Sequence, residues 1–189
     1  MIKSFASVLF LLLITACSNN NNAGVVYHER FDFSRVKSYS LYDHNSAFSD
    51  TQNLLDTRRN AIEIAIERSM ATMQFSYSAL EQADLIVTYH VFTGKQGDYS
   101  RYNKTVHFCI HCLRATTWRT EQQYGPVSVG SLVLDLVDPK MKRSVWRSIY
   151  PLKLEEKENS VKANDKIKHA VATMLAQYPK NSVKSVPSH

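Results

Sequence analysis

The sequence predicts an α+β fold: a two-layer sandwich with two helices on one face of a mostly antiparallel sheet of about five strands, ordered β-α-β-β-β-β-α. Three observations predict it. From Gly130 to Tyr150, two runs rich in β-branched and aromatic residues flank Asp138-Pro139-Lys140-Met141-Lys142, the pattern of a β-hairpin with a short polar connection. Ala83 to Phe92 reads as a strand, with Leu85, Val87, Tyr89 and Val91 on one face and Ile86, Thr88, His90 and Phe92 on the other. Two further segments, Asn53 to Gln74 and Ser160 to Tyr178, repeat apolar residues at helical spacing.

One domain is the expectation for 189 residues, of which 44% are hydrophobic and 21% charged. The net charge is +6, and removing Lys3, the one charged residue among the first sixteen, leaves +5. That mild excess suits solubility and does not mark a nucleic-acid site.

Residues 1–16 read as a targeting segment. Lys3 precedes an apolar core of about ten residues, Phe5 to Ile14, too short to span a bilayer. Ile14-Thr15-Ala16-Cys17 resembles the lipobox of bacterial lipoprotein precursors. The resemblance implies cleavage before Cys17, a diacylglycerol thioether on its sulfur and an acyl chain on its new amino group, together a lasting membrane anchor. Ser18 follows the cysteine, without the aspartate that retains such proteins in the inner membrane, so the implied destination is the outer membrane, periplasmic side. The alternative is an ordinary secretory signal followed by a chance thiol. Residues 17–24 are expected to be the lipidated cysteine and a disordered tether.

The folded part is expected over 25–179. Val25-Val26-Tyr27 and Lys37 to Tyr42 are short β-like runs around Phe31-Asp32-Phe33-Ser34, and an edge or first strand belongs here. Asp50 or Thr51 can cap the helix that follows. Along that helix Leu55, Ile62, Ile66, Met70 and Met73 fall on one side, while Asp56, Arg59, Glu63 and Glu67 fall on the opposite one. The methionines read as core filler. In the hairpin, Leu132, Leu134 and Leu136 should meet the helices, and Val133, Asp135 and Val137 should lie on a partly exposed face. Trp146 reads as packing and Arg147 as the cross-strand partner of a carboxylate. Asp135 and Asp138 fall on opposite faces, which excludes them as paired acids. The last helix buries Val161, Ile167, Ala170, Val171, Met174, Leu175 and Tyr178, turns Lys162, Lys166 and Lys168 to water and stops at Pro179. Residues 180–189 are expected to form a disordered basic tail.

Phe31 to Ser34 (F-D-F-S), Ala83 to Val91 (A-D-L-I-V-T-Y-H-V), Gly130 to Asp138 (G-S-L-V-L-D-L-V-D), Val145 to Arg147 (V-W-R) and the closing A-Q-Y-P (Ala176 to Pro179) together resemble the DUF4136 family of bacterial lipoproteins. The resemblance runs from about Tyr27 to Pro179. It implies a two-layer α/β domain akin to periplasmic modules of the TolB N-terminal and curli-secretion lipoprotein type, and it carries over no catalytic residue. This chain departs from the family where the first helix ends: Gln74 to Ser76 lack the usual glycine, so the turn needs a left-handed non-glycine residue or another geometry.

A second departure lies between Gly94 and Pro126. His107, Cys109, His111 and Cys112 form the one concentration of metal-ligand side chains. On a continuous strand His107, Cys109 and His111 point the same way at about 6.7 Å intervals, which suits zinc only if the strand bends or neighbours add ligands. A disulfide between Cys109 and Cys112 needs a turn at Ile110-His111, because extended chain sets the two Cα atoms roughly 10 Å apart. Inert thiols are a third reading, and redox chemistry lacks a following helix N-terminus to activate the first cysteine.

The chain shows no nucleophile elbow, phosphate loop or convergent acid pair. The expectation is a non-enzymatic envelope protein, without a cofactor beyond its lipid, that binds a protein partner or itself through Val133, Asp135 and Val137 on an uncovered sheet face, or through an edge strand. The alternative is a metal-binding lipoprotein that uses the His107/Cys109/His111/Cys112 cluster.

Overall fold

The computed structural model describes residues 23–43, 54–95, 97–108, 128–155 and 158–180. Cys17, Cys109, His111 and Cys112, the leader, most of the tether and the tail beyond 180 lie outside these residues. The strands are β1 (Gly24–Tyr27), β2 (Ser38–Leu41), β3 (Ser76–Tyr77), β4 (Leu85–Val91), β5 (Ser131–Asp138) and β6 (Arg143–Pro151). The helices are α1 (Asp56–Thr72), α2 (Asp98–Thr105) and α3 (Ser160–Leu175), with a 3-10 turn at Phe33–Arg35.

All six strands join one mixed sheet in the order β1-β6-β5-β4-β2-β3. The pairings from β1 through β4 are antiparallel, while β2 lies parallel to both β4 and β3. The fold class is therefore α+β as the sequence predicts, but the order is β-β-α-β-β-α-β-β-α: two strands rather than one precede α1, a third helix, α2, lies between β4 and β5, and the strands number six. The two residues of β3 are too few to carry a periodic signal.

The hairpin forms as read. Leu134 pairs with Ser148 and Leu136 with Trp146; Val137 then faces Ser144, which leaves Val145 as the extra residue of a bulge. The connection closes where Asp138 Oδ1 accepts from Lys140 N at 2.8 Å and Lys142 takes a left-handed φ of 52°.

Helix α1 starts after Leu55 without a side-chain cap, and Leu55 is exposed rather than buried. Its C-terminus settles the missing glycine: Gln74 takes φ 67°, while Gln74 N donates to Ala71 O and Phe75 N to Met70 O. That is a Schellman closure made with a residue bearing a Cβ. Helix α3 is capped by Asn159, whose side chain accepts from Val161 N at 2.8 Å. Val161, expected in the buried stripe, is exposed, and the buried residues of α3 begin at Ile167.

The alternation of the strands sorts the core. Val87, Tyr89, Leu132, Leu134, Leu136 and Trp146 pack with Ile62, Ile66 and Met70 of α1 and with Ile167, Val171 and Met174 of α3. Burying a side chain of this kind contributes about 1.5–3 kcal/mol. Glu63, expected on the water side of α1, instead accepts from Tyr89 OH at 2.6 Å, because it sits one turn from Arg59 above the polar end of that buried tyrosine.

The second face corrects the expectation of an open surface. Val133 and Asp135 are 0% exposed and Val137 is 7%. Helix α2 lies over them, and Tyr102 and Val106 complete a small cluster with Val133 and Val137. A partner cannot reach these three residues while α2 is in place. The boundary of the tether is corrected as well: Ala23 is buried, its carbonyl accepts from Gln177 Nε2 at 3.1 Å, and Gly24 opens β1.

Candidate functional site

Beneath α2 the strands present a row of polar side chains. The register sets Thr88 of β4 opposite Asp135 of β5, and Asp135 opposite Arg147 of β6. A period of two puts all three on the face away from α1 and α3.

Asp135 is the hub. Its Oδ1 accepts from Ser144 Oγ at 2.5 Å and Arg147 Nε at 2.9 Å; its Oδ2 accepts from Tyr102 OH at 2.9 Å and Arg147 Nε at 3.1 Å. Tyr102 OH also lies 2.9 Å from Thr88 Oγ1. Arg147 Nη1 donates to Asn103 Oδ1 at 2.6 Å and Tyr99 OH at 3.2 Å, and the guanidinium lies 3.5 Å from the Phe108 ring centroid. Its Nη2 finds no hydrogen-bond partner among the described residues. Arg147 is the cross-strand partner of a carboxylate, as the sequence indicated, but both are wholly buried.

Burial disfavours charge on Arg147, yet Asp135, Tyr99 and Tyr102 together outweigh it and hold the guanidinium above its ordinary range. Burial, and after it the Asp135 charge, pushes the Tyr102 phenol well up, so it remains a donor. The arrangement pins a helix to a sheet; it offers no group poised to transfer a proton to an outside molecule.

His90, read as a structural residue, lies at the edge of this cluster. Its ring stacks on Tyr102 at 4.8 Å and its Nε2 lies 2.9 Å from Asp98 Oδ1, out of line for a well-formed hydrogen bond. Asp98 Oδ2 accepts from Thr93 N and Thr93 Oγ1 at 2.9 and 2.8 Å. Burial lowers the His90 pKa, with Asp98 opposing.

His107 ends up exposed in the turn after α2, with a left-handed φ of 48°. A strand running on from Thr105 is thereby overturned, since Thr105 closes a helix and its successors turn. The other three members of the metal cluster lie outside the described residues. Among the described residues, no three His, Cys, Asp or Glu side chains come together to hold a metal ion.

Sequence reasoning missed a meeting of motifs. Asp32, Asp84 and Asp138 line one hollow of about 170 Å³ with Arg35 and Lys140. Each carboxylate already serves the backbone: Asp32 caps Ser34 N, Asp84 accepts from Lys37 N and Ser38 N, and Asp138 closes the hairpin. Asp32 and Asp138, each bonded to the amide two residues on, carry a local signal; Asp84, bonded to Lys37 N and Ser38 N, carries none.

The family model of DUF4136, a domain of unknown function, matches residues 24–180, from the first residue of β1 to just past α3. The chain belongs to the DUF4136 family. A crystal structure of a DUF4136 family protein from Bacteroides thetaiotaomicron is similar at 16% identity, covering 84% of this chain and 95% of that one with a TM-score of 0.55. A PDZ domain protein from Parabacteroides distasonis matches at 16% identity over 84% of this chain and 36% of its own length, with a TM-score of 0.47. The PelC dodecamer from Paraburkholderia phytofirmans matches at 10% identity over 82% of this chain and 98% of that one, with a TM-score of 0.35. At these identities the likeness to the DUF4136 crystal structure concerns the fold alone. Comparison with curated proteins finds no match.

Proposed function

We propose that this DUF4136 domain is a non-enzymatic binding module, lipid-anchored through Cys17 to the periplasmic side of the outer membrane. It takes an extended segment of an envelope protein along the outer edge of β3. The observation that carries this reading is the edge itself. Ser76 N and Ser78 N donate inward to Lys37 O and Tyr39 O, both at 2.9 Å, so the intervening Tyr77 turns its own N–H and C=O away from β2. Tyr77 is 62% exposed and its ring leans edge-on against Tyr39 at 5.6 Å, which leaves an aromatic surface beside a backbone edge that no other described strand pairs. The covering of the sheet faces by α1, α3 and α2 directs a partner to an edge. What supports a binding role over catalysis is that the Asp135–Arg147 pair is sealed from solvent and consumed by its own neighbours.

Two experiments test the reading. The full-length lipidated chain is used as bait in envelope extracts beside Tyr77→Pro, which removes the outward N–H and leaves the Ser76 and Ser78 bonds to β2 intact. The partner band should disappear with the proline, and a self-association mediated by this edge should disappear with it; undiminished recovery refutes the edge. Independently, Cys17→Ser should move the protein from membranes to the soluble fraction after a high-salt wash. Continued sedimentation with membranes removes the anchor from the proposal.

A further inference from the structure

Helix α2 is held to the sheet by the buried Asp135–Arg147 network and by the bond from Ser144 N to Val106 O, and an imidazole, that of His90, sits within this contact. The apolar part of the contact centres on four buried residues, Tyr102, Val106, Val133 and Val137, with Tyr99, Phe108 and Ile149 against them and Ile86 bridging to the core shared by α1 and α3. His90 projects from β4 into this contact and is 1% exposed. The charged and titratable groups that face it are Asp98 and Tyr102 from α2, Asp135 from β5 and Arg147 from β6. The Nδ1 atom has no hydrogen-bond partner among the described residues, so a second ring proton there would be buried without an acceptor.

We propose that α2 is a pH-released cover: protonation of His90 on acidification lifts α2 from β4, β5 and β6 and opens the face that carries Val133, Asp135 and Val137. This goes beyond the β3 edge and does not depend on it. The direction follows from linkage. In the closed form burial holds the ring below its ordinary value of 6.5, so the open form takes up the proton first. Closure is complete above about pH 6.5 and weakens as the pH falls below it. Asp98 moderates the loss without reversing it, since burial remains the larger influence on the ring. The main core meets this contact at the partly buried Ile86, which packs against both, and the rest of the core stays folded while α2 leaves.

The test is amide hydrogen exchange on the full chain in mild detergent at pH 7.5 and 5.5, corrected for the intrinsic rate. Opening of α2, read at Arg101 N and Val106 N, should rise by up to about tenfold per pH unit below 6.5 while β5 amides stay protected. His90→Gln, which keeps a donor toward Asp98 and takes up no proton, should level that response. The proposal is overturned if α2 protection is indifferent to pH, if α2 and β5 open together, or if the glutamine variant responds as the wild type does. Should that variant fail to fold, the His90 ring signal followed by NMR in the wild type must move over the same interval as α2 opening. A different midpoint overturns the proposal equally.

Discussion

At Arg147 the sequence and the structure part company over environment and agree over pairing. The alternation of β5 and β6 makes an Asp135–Arg147 pair legible, because opposed charges on neighbouring strands have one obvious partner each. Its burial was not legible: the residues that cover it, Tyr99, Tyr102 and Asn103, come from a helix more than thirty positions upstream of Asp135. Burial changes the energetics of the pair. An exposed pair contributes under about 1 kcal/mol, whereas removing one partner of a buried pair strands the other charge and costs about 3–5 kcal/mol. Arg147→Met and Asp135→Leu should each lose about that much in urea unfolding. The double variant should lose clearly less than the sum, since neither charge is left alone; strict additivity would mean that the two do not act as a pair. Gln74 shows the opposite sign. A Cβ in the left-handed region costs about 1–2 kcal/mol, partly offset by the freedom glycine would gain when unfolded. Gln74→Gly should therefore stabilise the domain by about 0.5–1 kcal/mol, read as a rise in the urea midpoint at constant slope.

The elements divide by how local their cause is. Helices α1 and α3 and the β5–β6 hairpin are written in periods of 3.6 and 2 and in turn residues, so they can be read before any tertiary contact is known. Helix α2 carries the same period, with Tyr99, Tyr102 and Val106 on one face, but D-Y-S-R-Y-N-K-T is short and holds few strong helix formers. Its helicity draws on packing against the sheet. Strand β3 is written by its neighbours in the same way. Where the α2 excursion leaves β4 the chain is tightly set: Gly94 has φ +78° and an added Cβ would lie 2.5 Å from Val129 Cγ2. Gly94→Ala should cost more than about 1 kcal/mol and shift the end of β4, where Gly130 N donates to Phe92 O. Unchanged thermal stability would show that Val129 and the backbone yield freely.

At the scale of the molecule, carboxylates clamp β2 to β4 and anchor the start of α2 to the chain leaving β4, and acid should release these contacts in sequence. Asp84, at the entry to β4, accepts from Lys37 N, Ser38 N and Ser38 Oγ at the entry to β2. The Lys37 N–H leads the influences that lower its carboxyl below 3.8, with burial opposing. Burial pushes Asp98 up, but the Thr93 bonds together with His90 outweigh it and lower this carboxyl likewise. A carboxyl lowered in the folded state contributes its full stability above the unfolded value and loses it as the pH falls through the folded one. His90 acts earlier, below about 6.5, and only on α2. Two stages follow: α2 loosens first, and the β2–β4 junction gives way below about pH 3.8. Trp146, fully buried against the helices on the other face, reports the second stage alone. In a Trp118→Phe background its emission should hold steady between about pH 6.5 and 4 and shift to the red only below that. Adding Asp84→Asn should lower stability at neutral pH and flatten its fall in acid, because the titrating group is gone. A red shift that begins near pH 6 would show that α2 and the main core share one cooperative unit, and the staged account would fall with it.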